Sequence, residues 1–398
     1  MKKKLVITYL MVSAGILDVS AQPSSSGTPV VIGQNTNNLV ITTAVPFLTI
    51  TPDSRAAGMG DAGVATSPDA NSSYWNPGKL AFIDKGFGGS LSYTPWLAKI
   101  VNDMKLAYLT GFYKINREQA VSINFKYFDM GDINLRDDNN NDKGRYNPRE
   151  YAIDISYSRM LTEHFGIGGT VRYVRSNLTG SLTSNGVDAQ AGQSVAVDIG
   201  AYYTKPLRTK NAVLSLGAAI NNIGSKMTYT SESTKDFIPT NLRIGGAYKT
   251  NLDALNSLTF VMDFNKLMVP SPDPNNPGAS RSQSLLQGIF GSFSDAKGGF
   301  AEEMREITVS SGVEYWYRDI FAGRIGYFYE AEDKGNRKYF TAGLGFRKDN
   351  FGVDVAYMIP TNKSNYALSE TIRFTLMMVL PVKDVKQNES VTDNADSH

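Results

Sequence analysis

The sequence predicts an all-β fold, a 14-stranded antiparallel transmembrane β-barrel. Three observations lead to it: alternating polarity, alternating loop length and a leader-like start. In residues 121–127, apolar side chains occupy the odd positions, while Ser122, Asn124 and Lys126 occupy the even ones. This two-residue period is typical of a strand with one face in lipid and the other in water. Fourteen such stretches lie between residues 86 and 381. Each reaches, with its flanks, the roughly 9 to 11 residues that a tilted strand needs to cross a membrane.

The connections between these stretches differ from those of a soluble β-sandwich, whose strands would also alternate. Short connections are predicted at residues 116–119, 162–163, 205–211, 250–256, 318–319 and 348–350. Long, polar connections are predicted near residues 131–148, 178–192, 223–238 and 268–304. Tight periplasmic turns and large external loops are the rule for bacterial outer-membrane barrels. The predicted location is therefore the outer membrane, with the barrel over residues 85–381.

The N-terminal residues have the pattern of a secretory signal peptide. Lys2, Lys3 and Lys4 precede an apolar stretch at residues 5–17, and Ala21 ends a short stretch typical of a signal-peptide cleavage site. We expect residues 1–21 to be a leader that is removed. No later run approaches the roughly 18 apolar residues of a transmembrane helix.

Composition narrows the class of protein further. The chain has no cysteine, which excludes disulfides, thiolate zinc sites and cysteine nucleophiles. Its net charge of +2 gives no indication of nucleic-acid binding. The 21 tyrosines and 19 phenylalanines fit the aromatic girdles at the two membrane interfaces. We expect no cofactor and no metal.

Residues 22–84 have a different pattern from the strands that follow. They are rich in small residues that allow close backbone packing, and Asp53 and Asp69 are candidate N-caps of two short helices. We therefore expect an N-terminal extension and a plug inside the barrel, and a polar periplasmic tail at residues 382–398. The predicted plug residues are Gly58, Gly60, Gly63, Tyr74, Trp75, Asn76 and Pro77.

Two stretches resemble a known family. The small-residue run at 53–65 is followed by Asn76-Pro77-Gly78, close to the Asn-Pro-Ala element of the FadL-like barrels, a family with fourteen strands and an N-terminal plug. Residues 288–303, together with the small-residue run, resemble PorV, the FadL-like component family of the type IX secretion system.

This resemblance implies a function without chemistry. Proteins of the PorV type bind the C-terminal signal domain of secreted cargo at the translocon barrel and carry it to the surface sortase. The implied partners are the type IX translocon barrel, the C-terminal signal domains of cargo, the surface sortase and membrane lipid, with no nucleic acid.

The predicted external loop at residues 268–305 is the candidate binding surface, because loops of this length are usually functional. Its second half carries apolar side chains that water does not favour leaving bare. Two interpretations stay open: these side chains cap the barrel mouth, or they dock cargo or the translocon. The candidate contact residues are Leu286, Ile289, Phe290, Phe293 and Phe300.

The predicted inner face of the barrel carries acids and bases in near balance. A selective ion pore would favour one sign of charge, so this mixture indicates ion-pair networks that hold a plug. The inward positions, by strand parity, are Lys126, Asp154, Arg172, Asp198, Arg243, Asp263, Glu314, Arg324, Arg347, Asp354 and Arg373.

Other functions find weaker support in the sequence. Hydrolytic barrels mostly use histidine as a general base, and only His164 and His398 exist. The Gly58–Gly63 spacing matches a dinucleotide motif but precedes unbroken β pattern. The acidic stretch 138–144 resembles a calcium loop but lacks its closing glutamate. The main alternative is a FadL-type transporter of fatty acids or other hydrophobic small molecules, with strand kinks at Gly166–Gly169 or Gly343–Gly345.

Overall fold

The computed structural model describes residues 39–97, 103–136, 142–178, 183–184, 187–188, 190–207, 211–229, 235–273, 279–361 and 371–380. The predicted leader, residues 22–38, the tail at 382–398 and residues 138–141 of the calcium-like stretch lie outside these ranges. Those predictions remain untested.

Fourteen strands form a closed antiparallel barrel, which confirms the predicted fold class. Each strand pairs with its neighbour along the chain, and β18 pairs with β1 to close the wall. The barrel strands are β1 (Phe87–Pro95), β2 (Lys105–Lys114), β3 (Gln119–Asp129), β6 (Arg149–Met160), β7 (Phe165–Asn177), β10 (Gly192–Leu207), β11 (Ala212–Gly224), β12 (Asn241–Asn251), β13 (Asn256–Leu267), β14 (Ile307–Tyr317), β15 (Phe321–Tyr329), β16 (Lys338–Lys348), β17 (Phe351–Pro360) and β18 (Ile372–Leu380).

Two small hairpins and three helices belong to the long connections. β4 (Ile133–Arg136) pairs with β5 (Asp142–Tyr146), and β8 (Thr183–Ser184) pairs with β9 (Val187–Asp188). None of the helices among the described residues is long and apolar enough to cross a membrane. The short connections lie at the opposite end of the barrel, as predicted. There, Arg318 and Asp319 both have positive φ (56° and 54°), a backbone twist that suits a tight turn between antiparallel strands.

Burial alternates along the strands as the sequence pattern requires. On β3, Ile123 is 59% exposed, whereas Ser122, Asn124 and Lys126 are buried. Outward side chains of the wall are apolar and exposed, so the barrel presents an apolar band to its surroundings and keeps its polar residues inside.

The N-terminal segment, which we define as residues 39–85, consists of short turns and helices. A 3-10 helix at Pro46–Thr49 is followed by α1 (Ser54–Ala57), α2 (Ser72–Trp75) and a second 3-10 helix at Pro77–Phe82. Asp53 caps α1 as predicted, because its side chain accepts a hydrogen bond from Ala56 N at 2.9 Å.

The predicted capping role of Asp69 is wrong. The helix α2 begins three residues later, with Asn71 at the cap position. The Asp69 carboxylate accepts a hydrogen bond from Asn71 N and forms an ion pair with Arg55, both at 2.9 Å. Both of its oxygens therefore serve contacts other than a helix cap.

Glycines on both sides allow the N-terminal segment to lie directly on the inner wall. Gly60 has a φ of +69°, and a Cβ added to it would lie 2.5 Å from Tyr327 O. A Cβ added to Gly326 would lie 2.1 Å from Gly60 N, and one added to Gly168 would lie 2.5 Å from the Pro77 backbone. Backbone therefore meets backbone here without an intervening side chain.

Three glycines of the runs considered for strand kinks, Gly166, Gly168 and Gly343, have the same packing role. Pairing of β7 with β6 and β10 continues without a register shift through Gly166, Gly168 and Gly169. Gly343 lies against Gly58, with a hypothetical Cβ 3.1 Å from the Gly58 Cα. The one shift in the β10 and β11 pairing lies elsewhere, between Val197 and Ile199.

We expect Gly326→Val to destabilise the protein and Gly323→Val to leave it nearly unchanged. Both residues lie on β15, but a Cβ at Gly323 meets nothing within 4 Å, whereas one at Gly326 meets the backbone of the N-terminal segment. Overpacking of this kind costs about 1–3 kcal/mol. Thermal unfolding in detergent, followed by the heat-dependent shift in gel mobility, measures the difference. Equal stability of the two variants would contradict the close contact.

Candidate functional site: the external loop and the barrel interior

The loop between β13 and β14 contains three short helices, α3 (Ala279–Ser282), α4 (Leu285–Gly291) and α5 (Phe300–Arg305). A capping box starts α4: the Ser284 hydroxyl accepts a hydrogen bond from Gln287 N, and the Gln287 side chain accepts one from Ser284 N. Gly299, with a φ of +67°, precedes α5, whose first turn carries Glu302 and Glu303. Carboxylates near the N-terminus of a helix interact favourably with the helix dipole.

A buried charge cluster fastens α5 to the barrel. Lys266, at the end of β13, lies 2.6 Å from Glu306 and 3.0 Å from Glu303. Lys334, in the turn between β15 and β16, lies 2.6 Å from Glu302 and 2.9 Å from Glu306. All five side chains are nearly buried, so their pairing decides whether the loop stays in place.

The pKa shifts in this cluster agree with its geometry. Burial alone would raise the pKa of Glu306, but hydrogen bonds from Lys266, Ser271 and Lys334 outweigh it and lower the pKa below the usual value. Burial alone would lower the pKa of Lys334, but hydrogen bonds to Glu302 and Glu306 raise it. Both shifts favour the charged forms of Glu306 and Lys334.

Above this cluster the loop exposes a group of large apolar side chains, which we call the loop patch: Leu286, Phe290, Phe293, Phe300 and Met304. Phe290 is 70% exposed and Phe300 is 79% exposed. Ile289, by contrast, is 5% exposed, and the adjacent Gly288 packs against the Phe237 ring. Four of the five predicted contact residues thus lie on the surface, whereas Ile289 anchors the loop from below.

Inside the barrel, buried polar contacts join the N-terminal segment to the wall. Arg55 donates to Glu314 at 2.9 and 2.8 Å, and Arg324 donates to the same carboxylate at 2.7 Å. The Asp263 carboxylate accepts from Gly63 N at 2.7 Å and from Val64 N at 2.8 Å. Each contact satisfies a buried charge or backbone group that water cannot reach.

These contacts extend around the barrel. The 3-10 helix Pro77–Phe82 contacts β3, β6, β7 and β10, whereas α1 contacts β16, β17 and β18 on the other side of the strand order. Hydrogen bonds also join the segment to wall residues Ser90, Thr110, Asn124, Ser158, Ala201, Asp263, Glu314, Thr341 and Thr375, with the Ser90 and Thr110 hydroxyls as donors.

The predicted plug residues all lie in this buried segment. A Cβ on Gly63 would lie 2.2 Å from the Trp75 ring, and Trp75 Nε1 donates to Asp53 at 2.7 Å. The Tyr74 hydroxyl donates to Leu48 O at 3.1 Å and Ile50 O at 3.0 Å. Asn76 donates to Ala201 O at 2.8 Å, and Pro77 lies against Gly168 and Gly200.

Most of the remaining predicted inward charges form ion pairs, whereas Lys126 and Arg243 have none among the described residues. Arg172 lies 2.7 Å from Asp154 and 2.9 Å from Asp198. Asp354 pairs with Arg324 at 2.7 Å and with Arg347 at 2.6 Å. Arg373 reaches Asp61 of the N-terminal segment at 3.4 Å. Lys126 donates instead to the backbone oxygens of Leu48 and Ile50.

Sequence reasoning missed two cations of the N-terminal segment. Arg55 stands alone in a run of small residues, and Lys79 is fully buried, with hydrogen bonds to Gly63 O at 2.7 Å and Thr66 Oγ1 at 2.9 Å. The sequence did contain one indication for Arg55, because it is the only cation in a run of small residues. Sequence reasoning also missed the cluster of Glu302, Glu303 and Glu306, whose lysine partners come from β13 and from the turn between β15 and β16.

The described residues give little support for a metal site or for histidine-dependent hydrolysis. Among the described residues, no group of three histidine or acidic side chains is arranged to hold a metal ion. His164 lies in the turn between β6 and β7, with its ring edge toward Tyr203. His398 lies outside the described ranges.

We expect Lys334→Met to release α5 from the barrel. Loss of the ammonium leaves Glu302 and Glu306 buried with less compensation, which costs about 3–5 kcal/mol for a buried pair. Amide hydrogen exchange of residues 300–305 at neutral pH measures the release. The matched control is Lys297→Met in the same loop. The Lys297 side chain is 63% exposed in its pair with Asp273, so this pair contributes little. Unchanged exchange in Lys334→Met would contradict the proposed fastening.

Comparison with known proteins gives the family and the fold. Residues 33–274 match the model of the family described as Type IX secretion system protein PorV. The match ends before the loop patch. No curated protein matches the chain.

Several solved structures are similar in fold. The CymD monoaromatic hydrocarbon channel superposes with a TM-score of 0.51 at 12% identity, over 84% of this chain and 98% of that chain. The toluene transporter TbuX of Ralstonia pickettii gives 0.46 at 11% identity, over 82% and 97%. A FadL homologue of Pseudomonas aeruginosa gives 0.45 at 12% identity, over 86% and 99%.

The fold likeness to CymD agrees with a closed 14-stranded wall but shows nothing about what this chain binds. The family match is independent of that likeness and covers more than half of the chain. The family is described by its part in type IX secretion, a transport process. The chain therefore belongs to the PorV family of type IX secretion system proteins and is an outer-membrane β-barrel.

Proposed function

We propose that this protein binds the C-terminal signal domain of secreted cargo at the translocon barrel and carries it to the surface sortase, with the loop patch as the contact surface. The observation that carries the proposal is the exposure of Leu286, Phe290, Phe293, Phe300 and Met304 together on one loop. Contiguous exposed apolar side chains mark interaction sites in folded proteins, and aromatic side chains dominate binding energy at interfaces.

The charge cluster beneath the patch supports this role. Because Lys266 and Lys334 hold α5 through three carboxylates, the exposed side chains stand on a fixed base. A surface that is ordered before binding loses less conformational entropy when a partner arrives. Cargo recognition by these side chains does not require the barrel lumen.

We also propose that the N-terminal segment acts as a plug and that solutes do not diffuse freely through the barrel. In support, the segment contacts strands on opposite sides of the wall, and its polar groups are bound to the wall at many points. Removing it would leave buried charges such as Glu314 and Asp263 without their partners.

Transport of hydrophobic small molecules is the second candidate, and the fold likeness to a hydrocarbon channel favours it. Such transport needs an apolar path through the barrel. The described inner wall instead carries ion pairs around Arg172 and Arg324. Gly166, Gly168 and Gly343, from the glycine runs considered for a lateral opening, pack against the N-terminal segment. We therefore prefer the shuttle function.

The triple variant Leu286→Ser, Phe290→Ser and Phe300→Ser tests the proposal. We expect the barrel to insert normally, while cargo affinity falls roughly tenfold or more, as for loss of interface anchors. In cells, secreted proteins should fail to attach to the surface. Co-purification of cargo from gentle detergent extracts and surface labelling of attached cargo are the two measurements.

The matched control replaces Leu252 and Leu255 by serine. Both side chains are exposed, but they lie in the turn between β12 and β13 at the other end of the barrel. This control should retain cargo and surface attachment. Normal attachment in the triple variant would remove the loop patch from recognition. Bound fatty acid with no cargo in either extract would favour transport.

A further inference from the structure

A cavity of about 380 Å³ lies between the N-terminal segment and the wall. Its lining from the segment includes Thr51, Asp61 and Trp75, and its lining from the loops includes Glu330 and Arg337. On the wall, Arg243, Asn265 and Thr308 face one another in register across β12, β13 and β14, and all three line the cavity. The cavity wall is therefore rich in hydrogen-bonding groups.

The charged residues around the cavity are paired, with one exception. Glu330 pairs with Arg337 at 2.7 Å, Glu306 with Lys334 at 2.9 Å, and Asp61 with Arg373 at 3.4 Å. Arg243 is the exception: among the described residues, no carboxylate lies within ion-pair distance of it. It is 5% exposed, so its charge is also largely removed from water. The negative charge of Asp263 on β13 attracts Arg243 only from beyond ion-pair distance. A buried cation without a directly paired counter-charge is unfavourable unless something compensates it.

Aromatic rings compensate the guanidinium only in part. The Arg243 Cζ lies 4.7 Å from the Trp75 ring centroid and 5.1 Å from that of Tyr74. The Asn241 amide, oriented by its neighbours, accepts from Arg243 Nε at 3.0 Å. Because the two rings are nearly perpendicular to each other (87°), they cannot both stack on the planar guanidinium, and a ring face offers it no hydrogen-bond acceptor oxygen in place of a carboxylate. Arg243 Nη1 has no hydrogen-bond partner in the described structure.

The Ser310 hydroxyl on the cavity wall also lacks a hydrogen-bond partner in the described structure. Ser310 lies on β14, next to Thr308 along the inner face, and its hydroxyl is buried. Both unpartnered groups are hydrogen-bond donors. Buried donors normally have an acceptor, and each missing one costs free energy. The acceptor that best compensates a guanidinium is an oxyanion, which takes two parallel hydrogen bonds from it.

We propose that this cavity binds a small oxyanion, a carboxylate or phosphate group, through the Arg243 guanidinium, with the Ser310 hydroxyl as a second donor. Trp75 and Tyr74 hold the guanidinium in place by their ring faces. The site lies inside the barrel, separate from the loop patch, so it is independent of cargo recognition.

Fluorescence of Trp75 provides a direct readout. In the full-length protein in detergent, Trp96→Phe and Trp316→Phe leave Trp75 as the single tryptophan. The probes are sodium hexanoate, its uncharged analogue hexanamide, and inorganic phosphate. We expect a saturable change with hexanoate or phosphate and none with hexanamide. Hexanoate alone would indicate a carboxylate site with an apolar extension, and phosphate alone a site for a compact anion.

Variants assign the response to the named residues. Arg243→Gln, which keeps a polar side chain, should weaken anion binding about tenfold to 100-fold, and Ser310→Ala about threefold to tenfold. Arg305→Gln, an exposed arginine of the loop, is the control and should leave binding unchanged. If Arg243→Gln fails to fold, Ser310→Ala and Arg243→Lys still provide the test. Absence of saturable anion binding, equal binding of hexanamide, or unchanged affinity in both folded variants would overturn the proposal.

Discussion

The buried ion pair between Arg55 and Glu314 is the contact on which the interior of this barrel depends. Glu314 lies on a membrane-spanning strand, and its carboxylate is shared by Arg55 of the N-terminal segment and Arg324 of the adjacent strand. Arg324 in turn binds Asp354, which binds Arg347. Loss of one cation would leave a carboxylate buried in a region of low dielectric, where an unpaired charge is strongly unfavourable. The wall and the segment therefore stabilise each other.

The need to bring the N-terminal segment close to the wall also explains the glycines where the two meet. Polar groups of the segment can reach Asp263, Glu314 and Thr341 only if the two backbones approach closely, and Gly60 and Gly326 make that approach possible. The segment thus supplies hydrogen-bond partners to the inner wall, while the outer face remains apolar. Under the proposed function, recognition then takes place outside the barrel, on the loop between β13 and β14.

Much of the fold could be predicted from the sequence because the medium imposes it. A strand between lipid and a polar interior must alternate, so the pattern at residues 121–127 predicts which side chains are buried. The parity that placed Arg172, Asp263 and Glu314 inward follows from the same rule. Local capping was less certain: Asp53 caps its helix, but Asp69 is drawn into an ion pair with Arg55 by tertiary structure.

The sites were harder to predict because their partners are distant in sequence. Nothing near Glu306 indicates that Lys266 of β13 and Lys334 of the turn between β15 and β16 bind it. A seven-residue helix is also too short for periodicity to separate buried Ile289 from exposed Phe290. Arg243 has the same sequence pattern as the paired arginines. Only the structure shows that it lacks a carboxylate and lies beside a cavity.

Cysteine labelling tests the central arrangement most directly, since the natural chain has no cysteine. Single variants Leu286→Cys, Ala57→Cys and Leu252→Cys would be treated in intact cells with a membrane-impermeant maleimide. A loop patch outside and a buried segment inside predict labelling of Leu286→Cys in intact cells, of Leu252→Cys only after the outer membrane is opened, and of Ala57→Cys only after denaturation. Labelling of Ala57→Cys in intact cells, or of Leu252→Cys in place of Leu286→Cys, would contradict the account.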